Sequence, residues 1–139
     1  MKKIQSILVV DDEGNSCFGL KALLSREGYH VDCVANGQEG LQYLQENSPQ
    51  LVISDIRMPE MDGLSFLRRI KRDYPQINVI LMTAFGGLDS YIDAMNKGAF
   101  EYLIKPLKIH ELKKVIDRLE EEIVPGFPDE NDFAGGVES

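Results

Sequence analysis

Polar side chains capable of chemistry follow four of the apolar segments of this sequence, at the point where each segment ends. They are Asp11 and Asp12 after the first segment, Asp55 after the third, Thr83 after the fourth and Lys105 after the fifth. Carboxylates that are packed together repel one another unless a cation lies among them. A set of acids without histidine or cysteine suits a hard, oxygen-seeking ion such as Mg²⁺, which keeps water ligands and shares others with a phosphate. If the fold brings the aspartates together, the sequence predicts a magnesium site.

Lys105 and Thr83 extend this chemistry from metal binding to phosphoryl transfer. An ammonium group and a hydroxyl donor are both suitable partners for phosphoryl oxygens. An aspartate beside a divalent ion can act as a nucleophile and form an aspartyl phosphate, and the transfer then needs little beyond positioning and neutralisation of charge. Each residue also has a plainer interpretation, because aspartates often cap helices or begin turns, and threonine and lysine fit any strand end. The functional interpretation therefore depends on their occurring together.

The elements that must position these residues follow from the spacing of the apolar side chains. Short apolar runs predict five strands, at 4–10, 29–34, 50–54, 77–82 and 100–105. Apolar residues at helical spacing follow each strand, and strands that alternate with helices predict an α/β fold with a parallel sheet covered on both faces. Right-handed crossovers and the chain length favour a doubly wound, flavodoxin-like (βα)5 sheet with strand order 2-1-3-4-5.

The predicted topology gives the polar residues a common location. In an open parallel sheet, ligands bind at the carboxyl ends of the strands, near the point where the strand order reverses. In the predicted order this point lies between the first and third strands, which are the two that end in Asp11-Asp12 and Asp55. We therefore expect these acids to converge with Thr83 and Lys105 on one small pocket.

Charge and composition limit the location and the partners of the chain. The formal net charge is −8 at pH 7, which argues against a nucleic-acid surface, and the basic run at 67–73 is predicted to lie largely on a solvated helix face. Cys17 and Cys33 are too far apart for a CxxC or zinc pattern and are interpreted as small buried hydrophobes in a reducing cytoplasm. No apolar stretch reaches the roughly 20 residues of a membrane span, and none fits a signal peptide. We therefore predict a cytoplasmic protein.

The end of the sequence differs in composition from the rest. Residues 125–139 are rich in proline, glycine and acids, contain no lysine or arginine and have no periodic apolar pattern. This composition predicts a flexible acidic tail or linker. The preceding residues, 1–124, are predicted to form a single domain.

Four motifs, ILVVDDE, VISDIRMPEMDG, LMTAF and GAFEYLIKPL, resemble in order and spacing the receiver domain of bacterial two-component response regulators. The resemblance spans about residues 4–124. It implies that Asp55 is the phosphoacceptor, which takes a phosphoryl group from a histidine of a sensor histidine kinase. It also implies that Asp12 and Asp55 ligate Mg²⁺ directly, that Asp11 does so through water, and that Arg57 contributes its backbone carbonyl.

The resemblance assigns further residues to a switch. Lys105 would pair with the phosphoryl group, Thr83 would move to hydrogen-bond to it, and Tyr102 would swing inward behind Thr83. The bond between Lys105 and Pro106 matches a cis peptide of the family, a state that is plausible only before proline. Two further positions tune dephosphorylation in relatives, and they are occupied here by Arg57 and Phe85.

The resemblance implies a regulator rather than an enzyme, with no chemistry beyond its own phosphoryl transfer and slow autodephosphorylation. Phosphorylation would repack the surface of the fourth helix, fifth strand and fifth helix, where dimerisation or partner contact is expected. The segment GAFEYLIKPL and the long final helix resemble receivers attached to sigma-54-dependent transcription activators. We therefore expect control of transcription through an output domain or partner, without direct contact of this domain with nucleic acid or membrane.

Three other functions compete with this interpretation. A phosphohydrolase that uses an aspartyl phosphate usually has a second acid two residues after the nucleophile, where this sequence has Arg57. A nucleotide- or flavin-binding module would need a glycine-rich phosphate loop, and neither G-x-G-x-x-G after a strand nor G-x-x-x-x-G-K-[ST] occurs. A degenerate receiver that switches without phosphate is disfavoured by the complete set of polar residues.

Overall fold

The computed structural model describes residues 4–122, which form five strands that alternate with five helices. The elements are β1 (Ser6–Val10), α1 (Gly14–Arg26), β2 (His30–Val34), α2 (Gly37–Glu46), β3 (Leu51–Asp55), α3 (Gly63–Asp73), β4 (Asn78–Thr83), α4 (Leu88–Asn96), β5 (Glu101–Ile104) and α5 (Ile109–Glu122). The predicted alternation is confirmed, and the strand ends differ from the prediction by one or two residues, as expected for boundaries drawn from apolar runs. The predicted tail, 125–139, lies outside the described residues.

The five strands form one parallel sheet in the order β2-β1-β3-β4-β5. The predicted doubly wound α/β fold and strand order are thus confirmed. The central strand β3 is buried along its length, whereas the edge strand β2 has one exposed residue, one buried residue (Val31) and three that are partly buried. This difference explains why the sequence of β3 is almost continuously apolar while that of β2 alternates.

The helices cover the sheet on both faces, and each face has its own apolar core. Successive side chains of a strand point to opposite faces, so one strand supplies both cores. In β1, Ile7 and Val9 face the core completed by α1 and α5. Leu8 and Val10 face the core completed by α2, α3 and α4. This double coverage leaves the ends of the strands as the places where a polar site can form.

Local capping fixes the starts of two helices. Asn36, directly before α2, accepts a hydrogen bond from the backbone N–H of Glu39 at 2.8 Å. Asp62 does the same for Ser65 at the start of α3, also at 2.8 Å. Such caps satisfy N–H groups that have no partner within the helix. In the described part of the chain, no helix is long and apolar enough to cross a membrane.

Candidate functional site

The predicted acids and the lysine meet at the carboxyl ends of β1, β3 and β5, in a cluster that we call the acid pocket (Asp11, Asp12, Asp55 and Lys105). Lys105 Nζ lies 3.0 Å from Asp11 Oδ2 and 3.0 Å from Asp55 Oδ2, so its ammonium group bridges the two carboxylates. Carboxylate oxygens of Asp11, Asp12 and Asp55 lie within 4.8 Å of one another. Asp11 and Asp55 are only 2% and 7% exposed, whereas Asp12 is exposed. The structure therefore brings the three acids and the lysine together, whereas Thr83, which was expected in the same pocket, lines a separate cleft.

Backbone hydrogen bonds hold the two buried aspartates in place. Asp11 follows β1, where its N–H continues the sheet by donating to the Val34 carbonyl at 3.1 Å. Its Oδ1 accepts the N–H of Glu13 at 3.0 Å, which leaves Oδ2 for the ammonium group. Asp55 is the last residue of β3, and its Oδ1 accepts the N–H of Arg57 at 3.3 Å. Each carboxylate is therefore oriented by the turn that follows its strand.

Gly63 is a positioning residue that the sequence analysis missed. A Cβ atom at this position would lie 2.3 Å from the carbonyl oxygen of Asp55 and 2.7 Å from Cα of Ile56, so a larger side chain cannot be placed there without moving the backbone. The N–H of Gly63 donates to the Ile56 carbonyl at 2.7 Å. The start of α3 is thus packed directly against the end of β3. A glycine at the beginning of the helix after the acid-bearing strand was the available signal.

Burial dominates the electrostatics of the pocket. Removal from water raises the pKa of Asp55 above its usual value; the ammonium group of Lys105 opposes this change, and the charge of Asp11 adds to it. Burial lowers the pKa of Lys105, but the hydrogen bonds to Asp55 and Asp11 outweigh it, so the pKa of Lys105 is raised. The lysine is therefore charged at neutral pH, while the ionised form of Asp55 is held at a cost.

Thr83 lies at the end of β4 and is 2% exposed. Its hydroxyl oxygen accepts the N–H of Phe85 at 3.2 Å and lies 3.4 Å from the carbonyl oxygen of the same residue. Thr83 shares a cleft with Arg57, Phe85, Ser90 and Tyr102. The hydroxyl thus bonds to the loop before α4.

Tyr102 is buried beneath α4. Its ring packs edge-on against Tyr91, with ring centroids 5.8 Å apart and an angle of 81° between the ring planes. Its hydroxyl is buried and has no hydrogen-bond partner among residues 4–122. The ring is thus already inward while Thr83 is bonded to Phe85, so the predicted inward swing of Tyr102 stays a prediction about motion.

Arg57 and Phe85 contact each other at the mouth of this cleft. The guanidinium carbon of Arg57 lies 4.9 Å from the centroid of the Phe85 ring, a cation–π distance. Both side chains are exposed, so this contact lies on the surface. The predicted cis peptide between Lys105 and Pro106 is present.

Comparison with known proteins identifies this arrangement. The family described as the response regulator receiver domain matches residues 7–117. The chain belongs to the response regulator receiver family. This receiver chain is 45% identical over 107 residues to the transcriptional regulatory protein ZraR of Klebsiella oxytoca, covering 77% of the chain and 24% of that protein. It is 41% identical over 113 residues to the DNA-binding transcriptional regulator NtrC of Proteus hauseri, covering 81% of the chain and again 24% of the relative.

Solved receiver structures have the same fold as this receiver chain. A receiver domain protein from Clostridium thermocellum is 38% identical with a TM-score of 0.79, and the match covers 86% of this chain and 96% of that one. The beryllofluoride-activated NtrC4 receiver domain dimer is 35% identical with a TM-score of 0.80, covering 84% of this chain and 97% of that one. The receiver chain spans about a quarter of the length of the curated regulators that it matches.

Proposed function

We propose that this receiver is a phosphorylation-dependent switch in which Asp55 accepts a phosphoryl group from a histidine of a sensor kinase. The observation that carries the proposal is the ammonium group of Lys105, which lies 3.0 Å from an oxygen of Asp55 and 3.0 Å from one of Asp11. A carboxylate, an ammonium group and a second carboxylate thus lie together at one edge of the sheet. Such an arrangement supports phosphoryl transfer, because that reaction depends mainly on positioning and charge neutralisation.

The acids at this edge also fit a Mg²⁺ ion. Asp11, Asp12 and Asp55 offer carboxylate oxygens within 4.8 Å of one another, and hard oxygen donors are what Mg²⁺ prefers. These three residues, with the backbone carbonyl of Arg57, would hold the ion. When bound, it would neutralise charge on the aspartates and on the incoming phosphoryl oxygens.

Three residues of the chain have separate roles in the proposed phosphoryl transfer. One Asp55 oxygen attacks phosphorus in line with the P–N bond of phosphohistidine; the O–P bond forms as the P–N bond breaks, and the histidine nitrogen leaves with the electron pair and is protonated. The Asp55 carboxylate is oriented for this attack by the N–H of Arg57. Lys105, already beside Asp55, would transfer its hydrogen bond to a phosphoryl oxygen.

Thr83 would respond to the charge of the phosphoryl group on Asp55 and change its contacts with the rest of the domain. Its hydroxyl would exchange Phe85 for a phosphoryl oxygen, which removes a hydrogen bond that holds the loop before α4. The surface next to this loop is exposed and apolar; we define the α4–β5 face as Leu88, Tyr91, Ile92 and Ile104. We propose that this face, together with α5, forms a dimer or partner interface whose shape depends on phosphorylation.

A second surface lies where a phosphoryl donor must approach. The groove beside Lys105 runs between α1 and the loop before α5, and it is lined by Leu20, Leu23 and Leu107. Phe18, on the same helix, is 65% exposed. Since the histidine of the donor must come within bonding distance of Asp55, we propose that the kinase docks on this apolar groove.

The output of the switch is proposed from its relatives. ZraR and NtrC are regulators of transcription, as their names state, and this receiver resembles only about a quarter of each. We propose that the receiver acts in the cytoplasm and controls transcription through an output domain or partner of the sigma-54-dependent type. In this role its own catalysis is limited to acquiring the phosphoryl group and losing it slowly.

Incubation with Mg²⁺ and acetyl phosphate, followed by intact mass measurement, tests this function. We expect one phosphoryl adduct on the unmodified chain, none on Asp55→Asn, and an unchanged adduct on Asp89→Asn, which replaces an exposed aspartate at the start of α4. A persistent adduct on Asp55→Asn would refute Asp55 as the acceptor. Rapid multiple turnover of a phosphate monoester would favour a phosphohydrolase instead.

A further inference from the structure

The two cysteines, 17 and 33 in the sequence, lie next to each other across the interface between α1 and β2. Cys17 is in the first turn of α1, and Cys33 is on the edge strand β2, where it is paired with Val9 of β1. The thiol of Cys33 lies 3.2 Å from the backbone carbonyl oxygen of Cys17. The thiol of Cys17 lies 3.7 Å from the carbonyl oxygen of Val9 and 4.0 Å from that of Val34. Each sulfur is therefore in contact with the backbone at or next to the other cysteine.

The fold produces this proximity through strand alternation. Val31 and Cys33 are two residues apart in β2, so both side chains point to the face that α1 covers. Cys17 occupies the part of α1 that packs over this position. The sequence interpretation of two small buried hydrophobes is thus incomplete, because Cys33 is only partly buried and both residues are free thiols in one contact.

The two thiols differ in access to solvent. Cys17 is only 3% exposed, whereas Cys33 is partly exposed. Burial, followed by the contact with the Cys33 thiol, raises the pKa of the Cys17 thiol. A small oxidant therefore meets Cys33 first, and Cys17 is held beside it as the second thiol.

We propose that Cys17 and Cys33 form a modification site, at which a hydroperoxide converts two free thiols into an intramolecular disulfide. The Cys33 sulfur attacks the hydroperoxide, the O–O bond breaks, and one water or alcohol leaves as Cys33 becomes a sulfenic acid. The Cys17 sulfur then attacks the Cys33 sulfur, the S–O bond breaks, and the hydroxyl leaves as water with the Cys17 proton. The two thiols lose two electrons, which reduce the hydroperoxide.

The bond would join α1 to the edge strand close to the acid pocket. The N–H of Cys17 donates to the Glu13 carbonyl, and the N–H of Glu13 donates to the Asp11 carboxylate. Oxidation would therefore fix the helix turn that holds one of the pocket acids. This inference goes beyond the proposed phosphorylation of Asp55 and does not depend on it.

Treatment of the folded, reduced chain with hydrogen peroxide tests the site. We expect a monomer that is lighter by about 2 Da, with both thiols lost to alkylation and a single linked peptide pair that contains residues 17 and 33. Closing a segment of roughly 16 residues should raise the midpoint of thermal unfolding by about 5 °C or more, and dithiothreitol should reverse the change. In Cys33→Ala and Cys17→Ala, the loss of mass and the rise of the midpoint should both be absent.

Three results would overturn the proposal. The first is oxidation of Cys33 to a sulfinic or sulfonic acid while Cys17 remains free. The second is a disulfide between two chains, which non-reducing electrophoresis would separate from the internal bond. The third is an internal bond that forms only after the chain has been unfolded in urea, because this would show that the folded structure does not bring the sulfurs together.

Discussion

The acid pocket and the α4–β5 face depart in opposite ways from the usual distribution, in which charged side chains are exposed and large apolar side chains are buried. In the acid pocket, Asp11 and Asp55 are charged side chains that are almost fully buried. On the α4–β5 face, Leu88 and Ile92 are apolar side chains that are 72% and 46% exposed. Buried charges need partners, and clustered exposed apolar groups mark interaction sites. Both departures agree with the proposed roles, which are binding of a cation and a phosphoryl group at the acid pocket and of a protein surface at the α4–β5 face.

Two residues connect these regions. Thr83 ends the strand beside Asp55, and its hydroxyl bonds to the loop that begins the α4 side. Tyr102 packs against Tyr91, which is part of the α4–β5 face, and shares a cleft with Thr83. Thr83 and Tyr102 therefore lie between the pocket and the face, and separate substitutions can test whether the two regions are coupled.

The largest effect on stability is expected from Lys105→Met. This change removes the ammonium group between two buried carboxylates, and breaking such a partly buried arrangement should lower the free energy of unfolding by about 2 to 4 kcal/mol. Urea unfolding of both proteins at neutral pH without divalent ions measures this loss in the free energy of unfolding. Millimolar Mg²⁺ should recover part of the loss, since an ion among the same carboxylates replaces the missing charge.

Lys108→Met is the matched control for this substitution. Lys108 is exposed on the same loop and should change the free energy of unfolding by no more than about 0.5 kcal/mol. Equal losses in the two variants would show that the bridge of Lys105 contributes nothing particular to the pocket.

Asp55→Asn should change the free energy of unfolding in the opposite direction to Lys105→Met. Burial raises the pKa of Asp55 in the folded state above the usual 3.8, so the folded state binds the proton more tightly than the unfolded state, and ionised Asp55 costs stability at neutral pH. The neutral amide should therefore raise the free energy of unfolding by about 1 kcal/mol at pH 7 without divalent ions.

The pH dependence sharpens this test. The stability that Asp55→Asn gains over the wild type should be complete above the raised folded-state pKa of Asp55. It should fade as the pH falls toward 3.8, because Asp55 then becomes protonated in both the folded and the unfolded wild type. Urea unfolding between pH 4 and 8 measures it. Millimolar Mg²⁺ should stabilise the wild type more than the variant. A variant that is less stable than wild type at pH 7 would contradict the assigned cost of the carboxylate.

Tyr102→Phe probes the connection between the two regions. The Tyr102 hydroxyl is buried with no partner in the described chain, so its removal should raise the free energy of unfolding by about 0.5 to 1 kcal/mol. Tyr43→Phe is the control, because its hydroxyl donates to Asp32 at 2.7 Å and its loss should cost a similar amount. If both variants shift in the same direction, the Tyr102 hydroxyl has a partner in solution.

Ile92→Ser should have the smallest effect on stability and a selective effect on association. Because Ile92 is already 46% exposed, the free energy of unfolding should change by no more than about 0.5 kcal/mol. Sedimentation of the beryllofluoride-treated chain should show weaker self-association for Ile92→Ser, while Leu23→Ser, a partly exposed leucine of α1, should leave it unchanged. A dimer that survives Ile92→Ser but not Leu23→Ser would place the interface on α1 instead.

The sequence predicted the composition of the acid pocket because its residues occupy strand ends. Asp11, Asp12, Asp55 and Lys105 each follow a recognisable apolar run, and parallel strands bring such ends to one edge of the sheet. The positions could therefore be predicted from local spacing and topology alone. The hydrogen bonds of the polar side chains could not be predicted in this way. The turns that follow the strands orient the Asp55 carboxylate and the Thr83 hydroxyl.

Contacts between distant elements could not be predicted from the sequence pattern either, because they depend on how the elements pack. The adjacency of Cys17 and Cys33 depends on how α1 packs over the edge strand, which no short-range spacing records. Lys71 belongs to a basic run that was expected to be largely solvated, yet its ammonium group donates to the carbonyls of Pro75 and Ile77 at 3.2 and 2.7 Å. Its long stem packs near Gly98 while its charged end finds backbone acceptors.

The contact of Gly63 with Asp55 limits how far the end of β3 can move toward α3. The junction between β3 and α3 has no spare volume, since even a methyl group on Gly63 would overlap the Asp55 carbonyl. The junction between β4 and α4 differs in what an added methyl group would meet. At Gly87 it would meet no atom within 4 Å, and at Gly86 it would overlap the end of the Ile104 side chain. A displacement of Asp55 therefore meets backbone on the α3 side, whereas the contacts on the α4 side are open space and a side chain that can rotate.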